Sequence, residues 1–103
     1  MNINKLGERG RAYFGFENRS ESKVRIFVKS PYLIGKNPEY VRLYVRTFTA
    51  STSKNFGGKY VSEDTFYYDL DFGYQKGKYI VDIYRADGSI DNHIYLDEIV
   101  FTV

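Results

Sequence analysis

The sequence predicts an all-β fold, an antiparallel β-sandwich of about seven strands, and three observations carry that expectation. Several segments alternate apolar and polar residues with a period of two, which places successive side chains on opposite faces of a strand. The chain holds eleven Tyr and eight Phe among 103 residues, and such rings suit the half-buried, pleated surface of a sheet. No stretch of useful length repeats at the helical period, while Gly, Pro, Asn and Ser divide the chain into short pieces. One domain of two layers is the most that this length supports. A small β-barrel is the alternative architecture.

A first strand is expected over residues 11–16, after Gly7 and Gly10, and a second over Lys23–Lys29. The second buries either Val24, Ile26 and Val28 or the opposite face with Arg25 and Phe27. Pro31 and Pro38 are the only prolines and share one linker, where each pushes the residue before it out of helical geometry. Residues 40–49 form the third strand and alternate most strictly. One face is Val41, Leu43 and Val45; the other is Tyr40, Arg42, Tyr44, Arg46 and Phe48. Residues 50–59 read as a loop ending in Gly57-Gly58, with a short edge strand through Tyr60 and Val61. Residues 65–72 put Phe66, Tyr68, Leu70 and Phe72 on one face and Tyr67, Asp69 and Asp71 on the other, where the carboxylates are expected to meet Arg42 and Arg46. Residues 78–85 bury Tyr79, Val81 and Ile83, and a turn at Ala86-Asp87-Gly88-Ser89 leads into a last strand over residues 93–103. Ile94 and Leu96 share one parity while Ile99, Phe101 and Val103 share the other, so a β-bulge is expected near Asp97-Glu98.

The absence of Cys removes disulfides, thiolate metal sites and a cysteine nucleophile from consideration. A net charge of +2 conceals a division. Residues 1–62 carry twelve Lys or Arg against four Asp or Glu, a surplus of eight positive charges, and residues 63–103 carry three against nine, a surplus of six negative. Such asymmetry points to a polyanion patch, an acidic partner or head-to-tail self-association, unless strands from the two halves neutralise one another side by side. No apolar run approaches the roughly 20 residues of a membrane-spanning helix. The first residues hold no apolar core of a signal peptide, so a cytoplasmic or virion-associated location is expected, or a secreted one if the chain is a mature form.

The run Leu70-x-Phe72 followed by Lys76-Gly77-Lys78-Tyr79-x-Val81-x-Ile83 resembles the late strands of fibronectin type III and other immunoglobulin-like sandwiches. The resemblance implies that Tyr79 is a corner tyrosine and that sheet faces and end loops bind partners. Arg9-Gly10-Arg11-Ala12-Tyr13-Phe14-Gly15-Phe16 is similar to an RNA-binding strand signature. With Ile26-Phe27-Val28 it also resembles the paired aromatic runs of cold-shock barrels. That likeness implies a single-stranded nucleic-acid surface of Arg9, Arg11, Tyr13, Phe14, Phe16, Arg25 and Phe27.

Catalysis finds little support. His93 is the sole imidazole, and Asp69 with Asp71 reads as a salt-bridging face before a carboxylate pair. No cofactor is implied. Asp87, Ser89 and Asp91 space oxygen atoms as a calcium loop would, yet Asn92 stands where that loop needs Gly and the flanks are β-patterned. The expectation is therefore a non-enzymatic module that binds a protein or a second copy through Tyr40, Arg42, Tyr44, Arg46 and Phe48, with Tyr67, Tyr84 and the loop around Asn55 to Tyr60 at the margins. Single-stranded nucleic acid and carbohydrate, which Tyr can stack upon, are the alternative ligands.

Overall fold

A computed structural model describes residues 3–20, 23–47, 54–70, 76–83 and 94–102. Among the described residues nine strands follow in order: β1 (Lys5–Leu6), β2 (Tyr13–Ser20), β3 (Lys23–Lys29), β4 (Val41–Thr47), β5 (Lys54–Phe56), β6 (Lys59–Ser62), β7 (Thr65–Leu70), β8 (Lys76–Ile83) and β9 (Ile94–Thr102). They form two antiparallel sheets, ordered β1-β2-β3-β7-β6 and β5-β4-β8-β9. The result is the expected antiparallel sandwich, open at its edges, so the barrel alternative falls. Two short 3-10 turns, Pro31–Leu33 and Pro38–Tyr40, occupy the linker that the two prolines marked. Ser30 and Asn37 cap them, each accepting a backbone N–H two residues on.

The alternation in the sequence decides which faces meet. Val24, Ile26 and Val28 of β3, Phe66, Tyr68 and Leu70 of β7 and Phe14 of β2 point inward from one sheet. Val41, Leu43 and Val45 of β4 with Leu96 and Ile99 of β9 point inward from the other. All are buried in one cluster, and Leu33 of the linker closes it. Burial of each such side chain stabilises the fold by about 1.5–3 kcal/mol. Tyr68 bridges the layers: its ring is fully buried and its hydroxyl donates to the Val41 carbonyl of the facing sheet at 2.9 Å. A Cβ on Gly58 would lie 2.8 Å from that ring, so the chain passes Tyr68 where only glycine fits.

The phase change in the last strand is a bulge. Val81 pairs with Asp97 and Asp82 with Tyr95, leaving Leu96 unmatched, and both Leu96 and Asp97 are buried. Buried Asp97 closes a clasp on the segment between β1 and β2. Its carboxylate accepts the backbone N–H groups of Arg9 (2.8 Å), Arg11 (2.8 Å), Ala12 (2.9 Å) and Glu98 (2.8 Å). Gly7 packs so closely on it that an added Cβ would come within 2.3 Å of the carboxylate. Glu8 N–H donates to the Glu98 carbonyl, and the Arg9 guanidinium lies 3.8 Å from the Tyr95 ring centre while donating to the Tyr95 carbonyl. The clasp thereby covers the middle of β9, an edge strand.

Strand limits and pairings differ from the sequence reading. A two-residue β1 precedes the first expected strand, which begins at Tyr13 and runs beyond residue 16 to Ser20, because Glu17, Asn18 and Ser20 continue the ladder with β3. The segment read as a loop over residues 50–59 contains β5, which pairs Lys54, Asn55 and Phe56 with Val45, Tyr44 and Leu43. Three residues carry no readable period. Asp69 does not meet Arg42 or Arg46: β7 and β4 belong to different sheets, and Asp69 pairs with Arg25 of neighbouring β3 instead.

Candidate interaction surfaces

The outer face of the β5-β4-β8-β9 sheet carries the Tyr/Arg row. With Val41, Leu43 and Val45 buried, the pleat turns Arg42, Tyr44 and Arg46 outward. The Arg42 guanidinium is held in place. Nε and Nη2 donate to Asn55 Oδ1 at 3.1 and 2.6 Å, and Nη1 reaches the Glu39 carbonyl at 3.4 Å. Gly57 leaves the room for it, since a Cβ there would stand 2.7 Å from Nη1. Tyr44 is half-buried, with Asn55 across the ladder on β5 and half-buried Ile80 on β8. Arg46 is exposed and lies in register with Lys78, which in turn is in register with the 45% exposed Val100. Tyr40 is half-buried at the end of the turn that enters β4.

Tyr67 does not belong to this face. It projects from β7 on the outer side of the other sheet, beside Phe27 at 6.3 Å between ring centres, with the Arg25 guanidinium 4.1 Å above its ring. Arg25 also grips Asp69 through Nε at 2.7 Å and Nη2 at 3.1 Å. The hydrogen bond from Arg25 holds the Asp69 carboxyl below its ordinary range, and the charges of Arg25, Arg19 and Lys59 add to the effect. In the same contact Arg25 is raised above its usual value. Phe48 and Tyr84 lie outside the described residues, as do the calcium candidates Asp87, Ser89 and Asp91, and His93 and Asp71. Among the described residues no group of three His, Cys, Asp or Glu could hold a metal ion.

The nucleic-acid candidates are not brought together on one surface. Phe14 is fully buried in the core, Phe16 packs against it from the same face of β2, and Phe27 is 5% exposed under Tyr67. Buried rings have no face to offer a base. Arg25 is engaged by Asp69, and Arg9 is stacked on Tyr95, far along the chain. Tyr13 alone among the rings is exposed, at 47%, with Arg11 exposed nearby. The cause is the pleat: Tyr13, Phe14 and Phe16 cannot all face the same way on one strand. A second cation cluster escaped the sequence reading. Arg19, Lys23 and Arg25 line a cleft with Asp69 and Leu70 at one end of the five-stranded sheet.

The basic and acidic halves of the chain interleave. Arg25 meets Asp69, and the segment with Arg9 and Arg11 is clasped by Asp97. Basic β4 runs beside β8, with Arg42 in register with Asp82. No described helix is long and apolar enough to cross a membrane. The fold and these surfaces define a small two-sheet antiparallel β-sandwich whose two outer faces are rich in Arg and Tyr. No protein-family model matches the chain, no curated protein matches it and no solved structure matches it.

Proposed function

We propose that the chain is a non-enzymatic, immunoglobulin-like recognition module that associates with a second copy of itself through the outer face of the β5-β4-β8-β9 sheet. The strand order supports the immunoglobulin-type reading. Labelled A to G from β2 and with β5 as C′, the two sheets run A-B-E-D and C′-C-F-G. The observation that carries the binding reading is the row of Arg42, Tyr44 and Arg46, in which Arg42 is fixed in advance by Asn55 and Glu39. A pre-ordered Arg loses less freedom on binding, and Tyr and Arg dominate interface energetics.

The charge pattern of the face favours a second copy as the partner. Its cross-strand rows run Arg42-Asp82, Tyr44-Ile80-Glu98 and Arg46-Lys78. A twofold axis parallel to the strands lays β4 of one copy over β8 of the other at the same level, so the Arg42 row of each copy lies over the Asp82 row of its partner.

Sedimentation velocity over a range of concentrations tests this. The expected result is a dimer that Tyr44→Ala and Arg42→Glu each convert to a monomer while circular dichroism stays native. A protein that remains monomeric at high micromolar concentration, or a dimer indifferent to both changes, overturns the reading.

A further inference from the structure

We propose that the cleft at the end of β2, β3 and β7 is a binding site for a tetrahedral oxyanion, the phosphate or sulfate group of an ester ligand. It lies on the other sheet from the Tyr/Arg face and stands independently of it. The cleft measures about 340 Å³ and is lined by Arg19, Lys23, Arg25, Asp69 and Leu70.

Three cations converge there for local reasons. Lys23 and Arg25 are two apart on β3 and share its outer face. Arg19 joins them through a bulge: Asn18 pairs with Val24 and Ser20 with Lys23, leaving Arg19 unmatched and re-aimed. Two of the three are pre-ordered. Arg25 is braced by Asp69 and the Tyr67 ring, and Arg19 Nη1 sits 2.5 Å from Glu17 Oε1. Asp69 uses both oxygens on Arg25, so the one acidic group among the described lining residues is already neutralised. Arg25 Nη1, Lys23 and the remaining donors of Arg19 are left to face an anion. A planar guanidinium fork suits the oxygens of a tetrahedral oxyanion, and an ammonium adds a point charge.

Amide NMR spectra of the full chain, titrated with inorganic phosphate and inorganic sulfate against chloride at equal ionic strength, test the site. Saturable shifts confined to the neighbourhood of Arg19, Lys23 and Arg25 are expected. Removing one cation should weaken binding about fivefold, the equivalent of a single near-surface charge contact of about 1 kcal/mol. Lys23→Gln, an exposed change that leaves the fold intact, should show that loss, and Lys36→Gln should not. Phenyl phosphate and phenyl sulfate in parallel titrations identify which ester is preferred. Shifts that chloride reproduces, that fail to saturate, or that persist unchanged in Lys23→Gln overturn the proposal.

Discussion

Replacing Asp97 by Ala should unfasten the first residues of the chain from β9. The carboxylate accepts four backbone N–H groups at 2.8 to 2.9 Å. A hydrogen bond to a charged group contributes about 1.5–3 kcal/mol when its partners are desolvated. The Ala12 bond is buried, whereas those of Arg9, Arg11 and Glu98 are partly buried and regain water on opening. One bond at full value and three at about half give a loss of about 4–7.5 kcal/mol, against a total stability of about 5–15 kcal/mol for a domain of this kind. Asp97→Asn is the sharper variant. It keeps the shape but turns one oxygen into a donor that faces two donors, so at least half the loss should remain, about 2–4 kcal/mol. Chemical denaturation reads the global effect and amide hydrogen exchange the local one. Protection of the Arg11 and Ala12 amides should fall by about 30-fold or more in Asp97→Asn, since about 1.4 kcal/mol is a factor of ten. Both variants lying within about 0.5 kcal/mol of the parent, with exchange at those amides unchanged, would refute the clasp as a stabilising element.

Other consequences concern the interior and the sheet faces. Burial raises the Tyr68 hydroxyl far above the ordinary tyrosine range, so its contribution is fully present below about pH 10, the unfolded value, and is lost as pH rises further. Alkaline melts should show a fall of up to about 1.4 kcal/mol per pH unit above that point. Tyr68→Phe should lack this fall while costing about 1–2 kcal/mol at neutral pH through the lost bond to Val41. Gly58→Ala drives a methyl group into the Tyr68 ring and should cost about 1–3 kcal/mol in urea titrations. Asp69 is held low, so its pairing with Arg25 is present above the unfolded carboxylate range near pH 4 and is lost as pH falls through the lower folded value. Because the Asp69 side chain is 53% exposed, Asp69→Asn should cost under about 1 kcal/mol at neutral pH and flatten the acid limb by that amount.

Periodicity made much of this fold readable. Lys23–Lys29 is the strand that its alternation marks, and β4 has its aliphatic residues inside and its Tyr/Arg row outside because nothing interrupts the period of two. The parity change between Leu96 and Ile99 located a bulge for the same reason: two buried residues of opposite phase cannot share an unbroken ladder. The clasp was illegible. An Asp in a strand reads as an outward polar residue, and the partners of Asp97 are backbone groups 85 to 88 residues away, which have no side-chain signature. Asn55 was legible only as part of a loop at the margin of that face; its place in a strand was not, because three residues in a polar stretch carry no period. The aromatic run at residues 13–16 misled because a motif written as consecutive letters ignores the pleat. Phe14 and Phe16 turn into the core and leave Tyr13 outside. The split of Tyr67 from Arg42 needed strand order, which no local pattern encodes.

Covering β9 at its middle has a bearing on solubility. The other exposed edges carry their own deterrents against pairing between molecules: Glu17 and Arg19 on β2, only three residues with Lys54 on β5, and Lys59 with a register break on β6. The stretch Ile99-Val100-Phe101-Thr102 has no charge, no Pro and no Gly, and the Glu8-Arg9 segment stops short of it. Undocking that segment would bare the middle of β9, next to this uncharged stretch. Intermolecular strand addition then begins from a native-like species, so the onset of aggregation on warming tracks release of the Asp97 carboxylate and precedes melting of the core.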